Sequence, residues 1–223
     1  MARQSETTTR LVILGQLALR DWSSYELARS MRRTLHWFWP RAESVIYAEA
    51  KRLEADGLAE SRVEPAADGS RRTRSIYSIT PAGRSQLTGW LSQPPVTFTM
   101  HLEPLVRIHL ARFGTRDDLL AAIDSTNRAA ASLLDDAEAV AEEFVSGNHL
   151  FQDEAHTRGL LFDALVGQAH TLQDWAAGAR KEVETWPSLE GDEIARARAV
   201  TRMQRFLETR AAPSPVGGHS RSP

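Results

Sequence analysis

The chain has 223 residues, 42% of them hydrophobic and 25% charged, with a net charge of −2 at pH 7. That length allows one large globular domain or two small ones, while the absence of cysteine excludes disulfides and thiolate metal sites. No apolar run approaches the ~20 residues of a membrane-spanning helix, and the first residues, Met1 to Thr7, have no apolar core after their charges, so no signal peptide and a cytoplasmic location are expected.

Residues 1–8 are polar and expected to fray. From Thr9 to Leu19, the residues Leu11, Val12, Leu14, Leu17 and Ala18 crowd a short helix that is apolar over most of its circumference and must be buried. Ser23 or Ser24 is the expected N-cap of a second helix, with Glu26 in its first turn. Leu27, Ala28, Met31 and Leu35 form its inner stripe, and Arg29, Arg32 and Arg33 point outward. Trp37, Phe38 and Trp39 make an aromatic connection. Residues 40–58 then predict one helix, with Pro40 in the first turn and Glu43 near the positive end of the dipole. Ala42, Ile46, Ala50 and Leu53 repeat at helical spacing as a buried stripe. Gly57 is the expected C′ residue, with Leu58 folding back on the last turn. The other face carries Arg41, Ser44, Tyr47 and Lys51.

After Gly57 the periodicity shortens. Residues 58–64 and 74–80 predict two strands, joined by a turn containing Asp68-Gly69 and tipped with Arg71, Arg72 and Arg74. Thr80 and Pro81 predict an N-cap and first position of another helix, whose buried side is Leu87, Trp90 and Leu91. Three helices, a two-stranded wing and a linking helix make a winged helix-turn-helix, in which the third helix lies in the major groove and the wing follows phosphates or the minor groove. Charge agrees. Residues 1–93 hold 14 Lys+Arg against 10 Asp+Glu, and residues 94–223 hold 13 against 19, so the N-terminal half suits an anionic partner.

The ordered motifs are more specific than any one of them. Leu11 to Leu19, Tyr25-Glu26-Leu27, Ile46-Tyr47, Lys51 to Leu58, the arginine-rich wing ending Tyr77-Ser78-Ile79-Thr80, and Ala82-Gly83-Arg84 resemble the PadR family of bacterial transcriptional regulators over about residues 10–93. The sequence departs from the family's pattern at Ser23-Ser24, where relatives have His-Gly, and at Ser44 and Ala48, where they have Gly and Pro. Ser44 therefore adds a side chain near the expected groove-facing helix start, and base contacts do not carry over. Tyr47 and Lys51 match by residue type. The resemblance also implies that the first helix helps bind a partner subunit.

Pro94-Pro95 ends the domain. Glu103 to Phe113 predicts a short helix. Thr115 to Val145 carries Leu119, Ile123, Thr126, Ala130, Leu133, Ala137, Val140 and Phe144 at alternating spacings of four and three. About Glu154 to Trp186, the series Leu161, Leu165, Gln168, Leu172, Trp175 and Ala179 does the same. Two such seams imply helix-on-helix packing, with each other or with a partner chain. A last helix is expected over about Asp192–Arg210, and the tail from Pro213 has a disordered composition. The domains expected are thus 1–93, 94–212 and a tail at 213–223. The second resembles the all-helical, antiparallel, coiled-coil-like dimerisation region of longer PadR members.

No catalytic or metal-binding pattern is present. His101 and His109 are eight apart and His149 and His156 seven apart, without the i, i+4 spacing of a helical zinc site. The acidic pairs Asp117-Asp118, Asp135-Asp136 and Glu142-Glu143 are adjacent and point different ways. The fold class expected is mainly α, and the function expected is that of a ligand-responsive homodimeric repressor, not an enzyme, with no cofactor. Its partners would be double-stranded DNA at a pseudo-palindromic operator and a second copy of itself, with no membrane. DNA contacts fall to Arg41, Ser44, Tyr47, Lys51, Arg71, Arg72 and Arg74. Arg41 is the candidate for guanine, with an ion pair to Glu43 or a neighbour standing equal beside it. Dimer contacts fall to Leu161, Leu165, Leu172 and Trp175, and Trp175 is also the candidate for a small aromatic effector, which the family resemblance implies. The competing possibility is a helical protein–protein adaptor whose winged domain binds protein.

Overall fold

A computed structural model of the chain describes residues 2–65, 73–94, 102–189 and 192–211, with side chains from Thr8 to Arg210. The chain divides into two compact units, Met1–Thr99 and Met100–Pro223.

The first unit runs α1 (Ala2–Leu19), β1 (Trp22–Ser23), α2 (Ser24–Leu35), α3 (Glu43–Ala55), β2 (Ala59–Pro65), β3 (Thr73–Ile79) and α4 (Pro81–Leu91). Helix α1 begins at Ala2, not near Thr9. No Gly or Pro interrupts residues 2–14, and the polar residues there are compatible with a helix. Leu11, Ile13, Leu14 and Leu17 are each 3% exposed or less, so α1 is the centre of the unit. Leu27, Ala28 and Met31 of α2 and Ile46, Ala50 and Leu53 of α3 complete the core. Each fully buried aliphatic side chain contributes about 1.5–3 kcal/mol.

The sheet has three antiparallel strands in the order β1-β3-β2, one more than the expected two-stranded wing. Trp22 faces Tyr77 and Ser23 faces Ile76 across β1 and β3. Two residues are too few to show alternation in sequence, and Ser23 has a second task. It caps α2 through a reciprocal capping box, with its side chain accepting from the Glu26 N–H at 3.2 Å and Glu26 accepting from the Ser23 N–H at 3.0 Å. The Trp22 indole donates to the Gln16 carbonyl at 2.8 Å, satisfying one of the last four carbonyls of α1.

Helix α3 starts at Glu43, so Pro40 and Arg41 precede it. Ala42, expected in the buried stripe, is the exposed N-cap with φ −65° and ψ 142°. The C-terminus is as expected. Gly57 has φ +71°; Leu58 N–H donates to Leu53 O at 2.9 Å and Gly57 N–H to Glu54 O at 3.0 Å. These two bonds are the Schellman pattern. Thr80 caps α4, accepting from the Gly83 N–H at 3.1 Å, and Pro81 follows it. On the side of α4 expected to be buried, Leu87 and Trp90 are half-buried and Leu91 is 67% exposed.

The second unit comprises α5 (Glu103–His109), α6 (Arg116–Val145), α7 (Ala155–Glu184) and α8 (Glu193–Ala211). The helix expected to reach Phe113 breaks at Leu110 into a tighter 3-10 turn, Ala111–Phe113. Thr115 caps α6 with a capping box to Asp118. Leu119 and Ile123 near the start of α6 pack with Ala176 and Val183 near the end of α7, so the two long helices run antiparallel. Arg180 donates to Asp124 at 2.5–2.6 Å across this pair. No helix among the described residues is long and apolar enough to cross a membrane.

Candidate nucleic-acid interface

Helix α3 is held from behind by charge as well as by apolar burial. Glu49 is 6% exposed on its inner side, where sequence periodicity alone predicts no carboxylate. Arg10 of α1 lies 3.6 Å from Glu49 and also pairs with Asp56, while Arg52 reaches Glu49 at 3.2 Å. A carboxylate this buried needs such partners, and they tie the helix to α1. The signal in sequence is weak: a glutamate one residue before the buried Ala50.

The outer face of α3 presents Ser44, Val45, Ala48 and Lys51 exposed and Tyr47 half-buried. Among the described residues, Ser44 and Lys51 make no side-chain hydrogen bond or ion pair. Tyr47 donates to Glu43 Oε2 at 3.3 Å, one turn earlier. Desolvation first, and then the Glu43 carboxylate, push the Tyr47 phenol above its ordinary pKa, so it remains a protonated donor. Glu43 in turn receives Arg32 Nη1 of α2 at 2.6 Å.

Arg41 is not on the exposed helical face with Ser44, Tyr47 and Lys51. Its Nε donates to Thr9 Oγ1 at 2.9 Å, its Nη1 to the Pro40 carbonyl at 2.7 Å, and its guanidinium lies 4.3 Å from the Trp39 ring centroid. Burial lowers its pKa from the usual arginine value. These contacts hold the segment before α3 against α1. The aromatic connection thus serves as an anchor: Trp39 Nε1 also donates to Thr9 Oγ1, at 3.3 Å.

Of the three wing arginines, Arg71 and Arg72 lie outside the described residues. Arg74 stands within β3 opposite Glu64, behind the tip. Its guanidinium lies 3.7 Å from Glu26 and 3.6 Å from Glu64. It therefore braces the base of the wing against the start of α2. Arg62 does the same from β2, donating to Asp21 at 2.6 Å and Glu64 at 2.9 Å. The Arg62 bond holds the Asp21 carboxyl below its ordinary pKa.

In the second unit, the most buried positions of α7 are Ala169, Ala176 and Val183, a seven-residue repeat of small side chains that lets α6 approach. Leu165 and Leu172 are half-buried on its flank, and Leu161 and Trp175 are each 39% exposed. The seam read from sequence is thus shared between intrachain packing and open surface. Helix α8 adds a face that the sequence reading did not single out: Val200, Met203, Phe206 and Leu207 are 52–65% exposed. Their i, i+3, i+6, i+7 spacing was the available signal. The described residues hold no cluster of His, Asp or Glu able to bind a metal ion.

Residues 13–89 match the PadR-like family of transcriptional regulators. The negative transcriptional regulator PadR of Bacillus subtilis is 26% identical over 110 residues, which are 49% of this chain and 59% of that relative. The chain's match therefore spans little more than half of that protein's length. Among solved structures, B. subtilis PadR in complex with operator DNA superposes with a TM-score of 0.64 at 19% identity, covering 78% of this chain and 98% of the other. The same protein in complex with p-coumaric acid gives a TM-score of 0.59 at 18% identity, covering 80% and 97%. The fold likeness extends over about four fifths of this chain, while the family match lies within residues 13–89. The winged unit is thus similar to the PadR-like family of transcriptional regulators.

Proposed function

We propose that the chain is a sequence-specific DNA-binding regulator, a cytoplasmic homodimeric repressor without enzymatic activity, released from its operator by a small aromatic ligand. The observation that carries this is the outer face of α3. Ser44 and Lys51 are exposed and unpaired among the described residues, on a helix locked from behind by Leu53, Ala50 and the Arg10–Glu49 pair. A rigid helix with unsatisfied donors is suited to the major groove. The exposed arginines of α2 and the wing supply cations for phosphate, which position without reading sequence. Arg74 is assigned a bracing role, leaving Arg71 and Arg72 as the wing's phosphate contacts. Dimerisation through the second unit sets two such helices against two half-sites, with Leu161, Leu165, Leu172, Trp175 and the open face of α8 as its apolar surface. Trp175 is the aromatic residue assigned to the effector. The relative solved with operator DNA and with p-coumaric acid motivates both ligand classes.

Two substitutions test the DNA-binding part. Arg71→Ala with Arg72→Ala should weaken binding to operator and random duplex alike and lower the slope of log K against log salt by about 1.8, roughly 0.9 per lost phosphate contact. Fluorescence anisotropy over a salt series reads this directly, and an unchanged slope removes the wing tip from the interface. Tyr47→Ala should reduce operator affinity about 10–100-fold, the loss expected for one hydrogen bond to a charged group, with an unchanged circular-dichroism melt. Normal binding by that variant would reject the assignment of α3. A wild-type protein with no salt-dependent DNA affinity would favour the protein–protein adaptor.

A further inference from the structure

Arg32 and Tyr47 come from different helices and converge on one carboxylate. Arg32 Nη1 meets Glu43 Oε1 at 2.6 Å and Tyr47 Oη meets Glu43 Oε2 at 3.3 Å. Both cationic and neutral donors are thus aimed at the two oxygens of a single anion, at the start of α3. The Arg32 side chain is 64% exposed and that of Glu43 is 42% exposed, so the anion is accessible from solvent. An ion pair this exposed adds little to folding. As a way to hold α3 in place it is also redundant, since Ile46, Ala50, Leu53 and the Arg10–Glu49 pair already do so.

We infer that Arg32 and Tyr47 form a phosphate-binding subsite for duplex DNA and that the Glu43 carboxylate occupies it in the free protein. The inference rests on the DNA-binding function proposed above. A phosphodiester presents two unesterified oxygens sharing one negative charge, and a carboxylate presents the same. Arginine and a protonated phenol bind either through charge-assisted hydrogen bonds. On DNA, a backbone phosphate takes both donors and Glu43 turns out to solvent, which its exposure permits. Arg32 then belongs to the interface although it lies on α2, outside the recognition helix. The carboxylate lowers non-specific affinity, because each phosphate must displace it before gaining the pair. Arg32, already neutralised by Glu43, also releases fewer counterions on binding than a free arginine would.

The test is a double-mutant cycle on the full chain with a random-sequence duplex about two helical turns long, at low salt. Glu43→Gln should tighten binding about three- to fivefold, within the range expected for releasing one exposed ion pair, and steepen the salt slope by up to about 0.9. In the Arg32→Ala background the same substitution should give no gain in affinity or slope. A gain that persists without Arg32 would mean simple removal of negative charge near DNA, and would overturn the subsite. Weaker binding by Glu43→Gln would make Glu43 a strut for Tyr47 or a base reader, and would overturn it too. If wild type binds and Glu43→Gln binds identically, this inference fails alone. If neither wild type nor any variant binds duplex, the DNA-binding function fails and the subsite with it. Melting each variant by circular dichroism excludes misfolding as the source of a change.

Discussion

Gly83→Ala should destabilise the N-terminal unit by about 3 kcal/mol, lowering its melting temperature by roughly 12–24 °C, since each kcal/mol moves a unit of this size by about 4–8 °C. Gly83 is buried in the first turn of α4. A methyl group there would meet the Leu58 carbonyl oxygen at 2.2 Å, Ile79 Cγ1 at 2.9 Å and Leu14 Cδ2 at 3.1 Å. The first of these is backbone and cannot swing aside. The Leu58 oxygen also accepts the Thr80 N–H at 3.1 Å, so moving it strains the junction between the end of α3, the sheet and α4 at once. Leu14 is fully buried in the centre of the unit and has no space to retreat. Gly89→Ala, one and a half turns later in the same helix, is the control. Nothing lies within 4 Å of a methyl group there, so the substitution should stabilise by up to about 1 kcal/mol. Equal melting temperatures for wild type and Gly83→Ala would show that α4 does not dock on Leu58 as described.

Much of this junction could be read without coordinates, because each signal in it is local. Thr80-Pro81 announces a capped helix, Gly57 announces a C′ residue, and the Leu11–Leu17 cluster announces a buried helix; the structure has all three. What sequence did not disclose is the product of distant pairing. Strand β1 exists because Trp22 and Ser23 find β3 more than fifty residues away, and two residues carry no periodicity. The start of α3 moved from Pro40 to Glu43 because Arg41 bonds to Thr9 of α1 and stacks on Trp39. A helical wheel places Arg41 beside Ser44, Tyr47 and Lys51; a tertiary contact takes it off that face.

The candidate interface divides along the same line. Ser44, Tyr47 and Lys51 are on the outer face of α3 as their spacing requires, since within a helix spacing and facing are one property. Arg74 and Arg32 were decided by partners. Arg74 resembles the other wing arginines in sequence, yet its cross-strand neighbour Glu64 and Glu26 in the first turn of α2 pair with it. Arg32 reads as one of three outward arginines on α2, and its pairing with Glu43 follows from where α3 places that carboxylate. In α7 the spacing was right and the facing was shared: Ala169, Ala176 and Val183 take the intrachain contact, while Leu161 and Trp175 stay open. A seam of period three and four identifies a helix that packs, and the size of the side chains beside it decides which partner comes closest.

A chain cut to residues 1–93 should be a folded monomer that binds operator at least 100-fold more weakly than the full chain. Folding is expected because the first unit has its own compact core: Leu11, Ile13, Leu14, Leu17, Leu27 and Leu53 are buried, and α1 packs on α3 and α4 within residues 1–93. The same burial argues against dimerisation through α1 alone. Its aliphatic residues are spent inside the unit, and only Leu19, 41% exposed, is a large open hydrophobe among its described side chains. The second unit is different. Val200, Met203, Phe206 and Leu207 open one helix to solvent, and Leu161 and Trp175 open another; apolar surface at such spacing marks a partner site. Losing it costs affinity without losing any DNA contact. In a dimer the second half-site is met at an effective concentration set by the linkage, an advantage of about 10²–10⁴. The fragment should therefore keep the full chain's weak affinity for a single half-site while its affinity for the complete operator collapses to that value. Sedimentation equilibrium and anisotropy on half-site and full-site duplexes measure the two effects separately. A stable dimer of residues 1–93 would move the interface into the winged unit, and equal affinity for the full site by fragment and whole chain would show that one recognition helix suffices.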